Sequence, residues 1–144
     1  KSKHQSLIIK KVGSMSYGLY GQREYVHSRA RAWPAALGGL RILTSDAGTD
    51  ASWAASLAPK GALLRCDLSM GLLHACTEGH GIAVLPRYMG DAHAALVRIR
   101  TPPSPVDPLW LTVHRDARRA PRIRFVLDYL SECMMQDADL LCPA

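Results

Sequence analysis

Apolar and polar positions in this chain follow two rhythms, seen most clearly between Ala62 and Met89. Ala62 to Cys66 is a short apolar run of strand character. Asp67 and Ser69 follow it, and either can cap a helix by accepting a hydrogen bond from a first-turn N–H. Met70, Leu72, Leu73, Ala75 and Cys76 then make a wide apolar face at helical period. Gly79 and Gly81 are expected to stop that helix, since glycine accepts the left-handed backbone of helix ends. Ile82 to Leu85 has no polar position, as in a parallel strand covered on both faces. Pro86 ends it and opens a short helix and loop over Arg87 to Ala95. Strand, helix, glycine turn and buried strand predict a βαβ unit.

The same rhythms predict the flanking elements. Leu7 to Val12 reads as an edge strand, broken at Gly13-Ser14, and Ser16 to Tyr20 as a second, alternating strand. Gln22 to Ser28 is a short helix with Tyr25 and Val26 turned inward. Arg29 to Pro34 is a basic loop over Trp33 and Leu37. Leu40 to Thr44 is an apolar strand, Ser52 to Ala58 a helix carrying Trp53, and Pro59-Lys60-Gly61 a turn. Leu96 to Ile99 alternates like a half-exposed strand. Four prolines between Thr101 and Pro108 make a stiff crossover into the strand Leu109 to Val113. From Pro121, apolar residues Ile123, Val126, Leu127, Leu130, Cys133 and Met134 mark one face of a long helix. The tail from Asp137 is expected to be loose. Strands alternating with helices place the chain in the α/β class, with a mixed, mostly parallel sheet and flanking helices.

Composition narrows the classes. The 144 residues suit one domain or two small lobes sharing a sheet, and 48% apolar residues are enough for a core. No apolar run approaches the ~20 residues of a membrane span, and no signal peptide precedes Leu7, so no membrane partner is expected. The net charge of +6 is spread along the chain. The nearest clusters, Lys1-Lys3-Lys10-Lys11 and Arg115-Arg118-Arg119-Arg122-Arg124, lack the interleaved aromatics of a nucleic-acid stripe. Cys66, Cys76, Cys133 and Cys142 have no zinc-ligand spacing and read as reduced structural thiols of a cytoplasmic protein.

Catalytic constellations are missing. No HExxH, P-loop, GxSxG or useful pair of acids occurs, and Gly79-His80-Gly81 closes a helix where a dinucleotide fingerprint would open one. His74 reads as a partly buried packing residue and His80 as a turn residue. Neither an enzyme nor a cofactor is expected. Strand ends followed by polar loops suit a ligand cleft instead. They are Thr44-Ser45, Asp67-Leu68-Ser69 and Leu85-Pro86-Arg87. Backbone N–H groups, hydroxyls and one arginine there would suit a small anion. For Thr44-Ser45 a plain strand-to-helix turn, with Asp50 or Ser52 as N-cap, is the reading that the motif alone favours.

These residues carry a family likeness. Leu68 through His74, the run Gly79-His80-Gly81-Ile82-Ala83-Val84-Leu85-Pro86 and Leu96-Val97-Arg98 resemble the effector-binding domain of LysR-type transcriptional regulators. So do Gly18-Leu19-Tyr20 with Tyr25-Val26, and Leu109 to His114 followed by Arg118-Arg119-Ala120-Pro121-Arg122-Ile123-Arg124. The resemblance spans roughly Leu7 to Ser131, and His80 departs from the family pattern. It implies a fold like the type 2 periplasmic binding proteins, with the second lobe complete and the first partial. Residues 1–20 would be the partial first lobe and a crossover strand, and 21–108 the second, effector-binding lobe. Residues 109–136 would be the return strand and C-terminal helix, and 137–144 a tail. The family's amino-terminal DNA-binding region has no counterpart in these residues.

Carried over by position, the resemblance implies effector contacts at Thr44, Ser45, Ser69, Met70 and Arg87. It also implies a small anionic effector, homo-oligomers, and DNA contact only through an N-terminal domain absent here. The alternatives are a solute-binding protein of the same fold and, behind it, an enzyme on that fold.

Overall fold

A computed structural model describes residues 7–29, 42–45, 48–57 and 62–143. The basic loop with Trp33 and Leu37, Leu40, and the turn at 59–61 lie outside the described residues. The chain divides into two compact units, Ser16–Val106 and Lys1–Met15 with Asp107–Ala144.

Strand β1 (Leu7–Gln22) runs unbroken for 16 residues, through the expected break at Gly13-Ser14. Gly13 keeps ordinary extended backbone, and a Cβ there would meet Leu109 Cδ1 at an unstrained 3.8 Å. Pairing with β6 (Val106–His114) supplies a ladder partner that local composition does not reveal.

In Ser16–Val106 the sheet order is β3-β2-β4-β1-β5, with β2 (Ile42–Thr44), β3 (Ala62–Arg65), β4 (Ile82–Pro86) and β5 (Leu96–Ile99). β2 is parallel to β3 and β4, and β1 is antiparallel to β4 and β5. β4 sits between β2 and β1 and all five of its residues are buried, as its unbroken apolar run requires. Helices α1 (Arg23–Arg29), α2 (Thr49–Leu57), α3 (Ser69–Thr77) and α4 (Arg87–Gly90) flank the sheet.

One face of the sheet packs on α3. Tyr20, Leu43, Ala83, Leu85 and Leu96 point to it and close on Leu72 and Cys76. The Cys76 thiol donates to the Tyr20 carbonyl oxygen at 3.3 Å. Burial pushes that thiol's pKa up to about 11, so it stays protonated and unreactive near neutrality.

The start of α3 differs from expectation. Leu68 occupies the N-cap position, and no side chain caps the helix. A cap must reach in from that residue, and Ser69 is already helical while Asp67 lies one residue outside. Met70 is 56% exposed, outside the core. His74, expected to pack, is exposed. The helix stops at Gly79, whose φ of +73° lets His80 N–H reach Ala75 O at 3.0 Å. Gly81 has no such backbone and leads directly into β4. α2 likewise starts before Ser52, whose hydroxyl donates to Gly48 O, and Asp50 accepts from Ser45.

In the other unit, β6 alternates in burial along its length and starts at Val106. A 3-10 turn (Ala117–Arg119) leads to α5 (Pro121–Gln136) and α6 (Ala138–Leu141), so the expected loose tail is partly helical. Most of the expected apolar face of α5 is half-buried, and Val126 is exposed. The most buried position is Ser131. Its hydroxyl donates to Leu127 O at 2.8 Å and accepts from Lys10 Nζ at 3.1 Å. No helix among the described residues is long and apolar enough to cross a membrane.

Candidate functional site

Because β2, β3 and β4 are parallel, their carboxyl ends reach one edge of the sheet, and antiparallel β1 begins its run along that edge. Open α/β sheets bind ligands there. Two hydroxyls on this edge stand out. Thr44 Oγ1 and Ser16 Oγ are both buried, at 4% residue exposure, and neither has a hydrogen-bond partner among the described residues. A buried unpaired hydroxyl costs about 1–3 kcal/mol, so neither is there for the stability of the fold.

The backbone carries Thr44 into this position. It ends β2 opposite Arg65, and its carbonyl accepts from Cys66 N–H at 3.0 Å. That bond ties the end of β2 to the segment leading into α3. Ser45 Oγ donates to Asp50 Oδ2 at 2.8 Å, locking the loop after β2 to the first turn of α2. Ser69 and Met70 open α3 close by in the chain, both exposed. A Cβ on Gly71 would lie 2.7 Å from Cys66 Sγ, so glycine lets the helix start press against the end of β3. Thr44 lies on the sheet face opposite the α3 core, sharing it with Ile42. Thr44-Ser45 and Ser69-Met70 therefore meet the edge from its two faces.

Arg87 belongs to a different cluster on the same edge. Its Nε lies 3.4 Å from Asp91 Oδ2, and Arg98 Nη1 is 3.7 Å from the same oxygen. Asp91 Oδ1 accepts the Tyr20 hydroxyl at 2.7 Å. Tyr20 is 1% exposed, and its ring lies where side chains on Gly18 and Gly90 would otherwise intrude, at 2.7 and 2.4 Å. Burial raises the phenol's pKa most, the Asp91 hydrogen bond and charge add to it, and Arg98 and Arg87 partly offset them. Tyr20 thus anchors Asp91, and Asp91 holds two guanidinium groups. Both line an open cavity of about 250 Å3 with Arg100, Tyr17 and the hydroxyl-bearing Thr101 and Ser104. None of Thr44, Ser45, Ser69 or Met70 lines it.

Sequence reasoning missed Tyr20, Asp91, Arg98 and Arg100. The available signal was the pair of small residues, Gly18 and Gly90, that admits one large ring. No group of histidine, cysteine and acidic side chains among the described residues could hold a metal ion.

An open mixed sheet with flanking helices and a polar carboxyl-end edge defines a periplasmic-binding-protein-like ligand-sensing domain. Residues 1–134 match the LysR substrate binding domain, and the chain belongs to that family. It is an effector-sensing regulatory domain of a LysR-type transcriptional regulator, a family of regulator domains rather than of enzymes.

Solved structures agree on the fold. The regulatory domain of CrgA, a LysR-type regulator from Neisseria meningitidis, superposes with a TM-score of 0.73 at 17% identity, covering 93% of this chain and 72% of that one. The effector domain of AmpR from Pseudomonas aeruginosa gives 0.71 at 21% identity, covering 93% and 67%. The regulatory domain of AphB from Vibrio vulnificus gives 0.66 at 19%, covering 90% and 69%. The solute-binding alternative finds no support among them. No curated protein matches the chain by sequence.

Proposed function

We propose that the chain senses a small anionic effector at the carboxyl ends of β2, β3 and β4, through Thr44, Ser45, Ser69, Met70 and Arg87. The observation that carries this is the Thr44 hydroxyl, buried and unpartnered at a strand end where ligands of such sheets bind. The exposed, uncapped start of α3 offers backbone N–H donors on the same edge, and Arg87 with Arg98 adds positive charge along it. In this reading residues 21–108 form the effector-binding lobe. The full regulator is cytoplasmic, homo-oligomeric, and contacts DNA through a separate domain. The effector acts by binding one lobe arrangement more tightly than another, and that difference sets the affinity for DNA.

The test begins with a thermal-shift screen of aliphatic and aromatic mono- and dicarboxylates, followed by calorimetry on the compound that stabilises the chain most. Thr44→Val keeps the shape and removes the unpaired hydroxyl, so the variant is expected to be at least as stable as the parent. Its affinity for that compound should fall about tenfold, the equivalent of about 1.4 kcal/mol. Unchanged affinity, or no carboxylate that stabilises the chain, would refute the reading.

A further inference from the structure

Four arginines surround one open cavity in the unit formed by Lys1–Met15 and Asp107–Ala144. Arg115, Arg118, Arg119 and Arg124 line about 350 Å3 where β6 ends, the 3-10 turn follows and α5 begins. All four are exposed, and no ion pair among the described residues involves any of them. The nearby carboxylates do not neutralise them. Among the described residues Asp116 forms no ion pair with an arginine, and its backbone N–H donates to His114 Nδ1 at 3.3 Å. Asp128 lines a smaller adjoining cavity with Arg118 and Arg124 without forming an ion pair with either.

The helix adds field of the same sign. α5 starts with no side-chain cap and no acidic residue in its first turn. A helix N-terminus carries partial positive charge, so cations there are unfavourable and anions favourable. A guanidinium cannot shed its proton to relieve the strain. The fold therefore holds four like charges at the end of a helix that repels them. Nothing the described residues supply compensates for it. A local rule broken without structural return points to a ligand.

We propose that this cavity is a second binding site, apart from the sheet edge, for a compact multivalent oxyanion: a di- or triphosphate group, free or carried on a nucleotide. Multivalency follows from the charge to be met, since one monovalent anion leaves most of it unbalanced. Phosphate follows from the planar forks of arginine, which bind its oxygens bidentately. Compactness follows from the four side chains coming from ten consecutive residues and converging on one cavity. That volume is at the small end of the ~300–1,000 Å3 usual for small-molecule sites. A nucleic-acid surface would need a longer stripe of charge with stacking aromatics, and no aromatic residue lines this cavity.

The test titrates the 144-residue chain with sodium tripolyphosphate, read by calorimetry and thermal unfolding. Sodium sulfate at matched ionic strength controls for general salt stabilisation. Saturable binding and a rise in Tm beyond the sulfate control are expected. Arg118→Gln with Arg119→Gln should weaken binding at least about tenfold, yet unfold no earlier than the parent without ligand, because repulsion has been removed. Arg119→Ala alone gives the same test in a milder variant should the double one misfold. ATP binding no more tightly than tripolyphosphate shows that the phosphates alone are read, and tighter ATP binding shows a nucleotide; both support the site. Thr44→Val should bind tripolyphosphate like the parent. The proposal fails if sulfate matches the shift, if the arginine variants bind unchanged, if Thr44→Val abolishes binding, or if a short DNA duplex binds where tripolyphosphate does not.

Discussion

Replacing Tyr20 with phenylalanine tests the anchor under the two arginines at the sheet edge, through a dependence on pH whose sign is set by burial. The ring is almost fully buried and its hydroxyl donates to Asp91 at 2.7 Å. A hydrogen bond to a charged group contributes about 1.5–3 kcal/mol net. The Asp91 side chain is 40% exposed, so water can take the place of the lost donor. The lower figure applies: about 1.5 kcal/mol at pH 7, or roughly 5 °C in Tm. In alkali the difference should close. The folded state holds the Tyr20 proton more tightly than an exposed tyrosine, which ionises near pH 10. Above that pH the unfolded state binds fewer protons, and the parent loses up to about 1.4 kcal/mol per pH unit. Phenylalanine has no proton to lose. Cys76, raised to about 11, has its own alkaline limb, but it is present in both proteins and cancels in the difference. The two stability curves should therefore converge and cross at about pH 11 to 11.5. Urea unfolding followed by circular dichroism at pH 7 and at steps from 9.5 to 11.5 measures this. Equal stabilities at pH 7, or a gap unchanged through the alkaline range, would show that Tyr20 does not hold Asp91 as argued.

Four further substitutions probe other parts of the chain. Gly90→Ala would place a methyl group 2.4 Å from the fixed Tyr20 ring and should cost about 1–3 kcal/mol in urea unfolding. Gly13→Ala, whose Cβ has ordinary van der Waals room, should change stability by less than about 0.5 kcal/mol. Gly79→Ala forces a side chain into positive φ at the end of α3 and should cost about 1 kcal/mol, visible as a lower Tm. Ser69→Ala removes no cap, so stability should move by less than about 0.5 kcal/mol while affinity for a bound carboxylate falls. A full capping loss of about 1 kcal/mol would put the hydroxyl on the helix instead of the ligand.

Elements whose evidence is local were legible in the sequence. The βαβ unit, the glycine stop at Gly79 and the buried strand β4 all follow from residue order within about thirty positions. The long α5 also follows, though its tightest contact is Ser131 and not an apolar residue. What the sequence did not disclose depends on partners brought in by the fold. Gly13-Ser14 reads as a break until β6 is laid beside it. Ser69 reads as a cap until the helix is seen to start one residue earlier. Arg87 reads as a lone cation until Asp91 is found holding it together with Arg98. Tyr20 and Asp91 lie 71 residues apart, and no periodicity joins them.

The sheet edge and the α5 terminus depart from stability in opposite ways. At the edge, Thr44 and Ser16 withhold hydrogen bonds that a buried hydroxyl normally makes. At the terminus, four arginines crowd a place suited to anions. Neither feature is expected to serve folding, since an apolar isostere at Thr44 or a glutamine at Arg118 should leave the fold at least as stable. Yet the rest of the unit Ser16–Val106 is economical, with glycine placed where a ring, a sulfur or a left-handed turn needs it. Missing bonds call for a donor or acceptor group small enough to reach a strand end, and surplus charge calls for a counter-charge large enough to engage several forks. The two demands differ in kind, one being set by buried hydroxyls and the other by exposed guanidinium groups. The two proposals together therefore predict two chemically different ligands, each stabilising the chain independently.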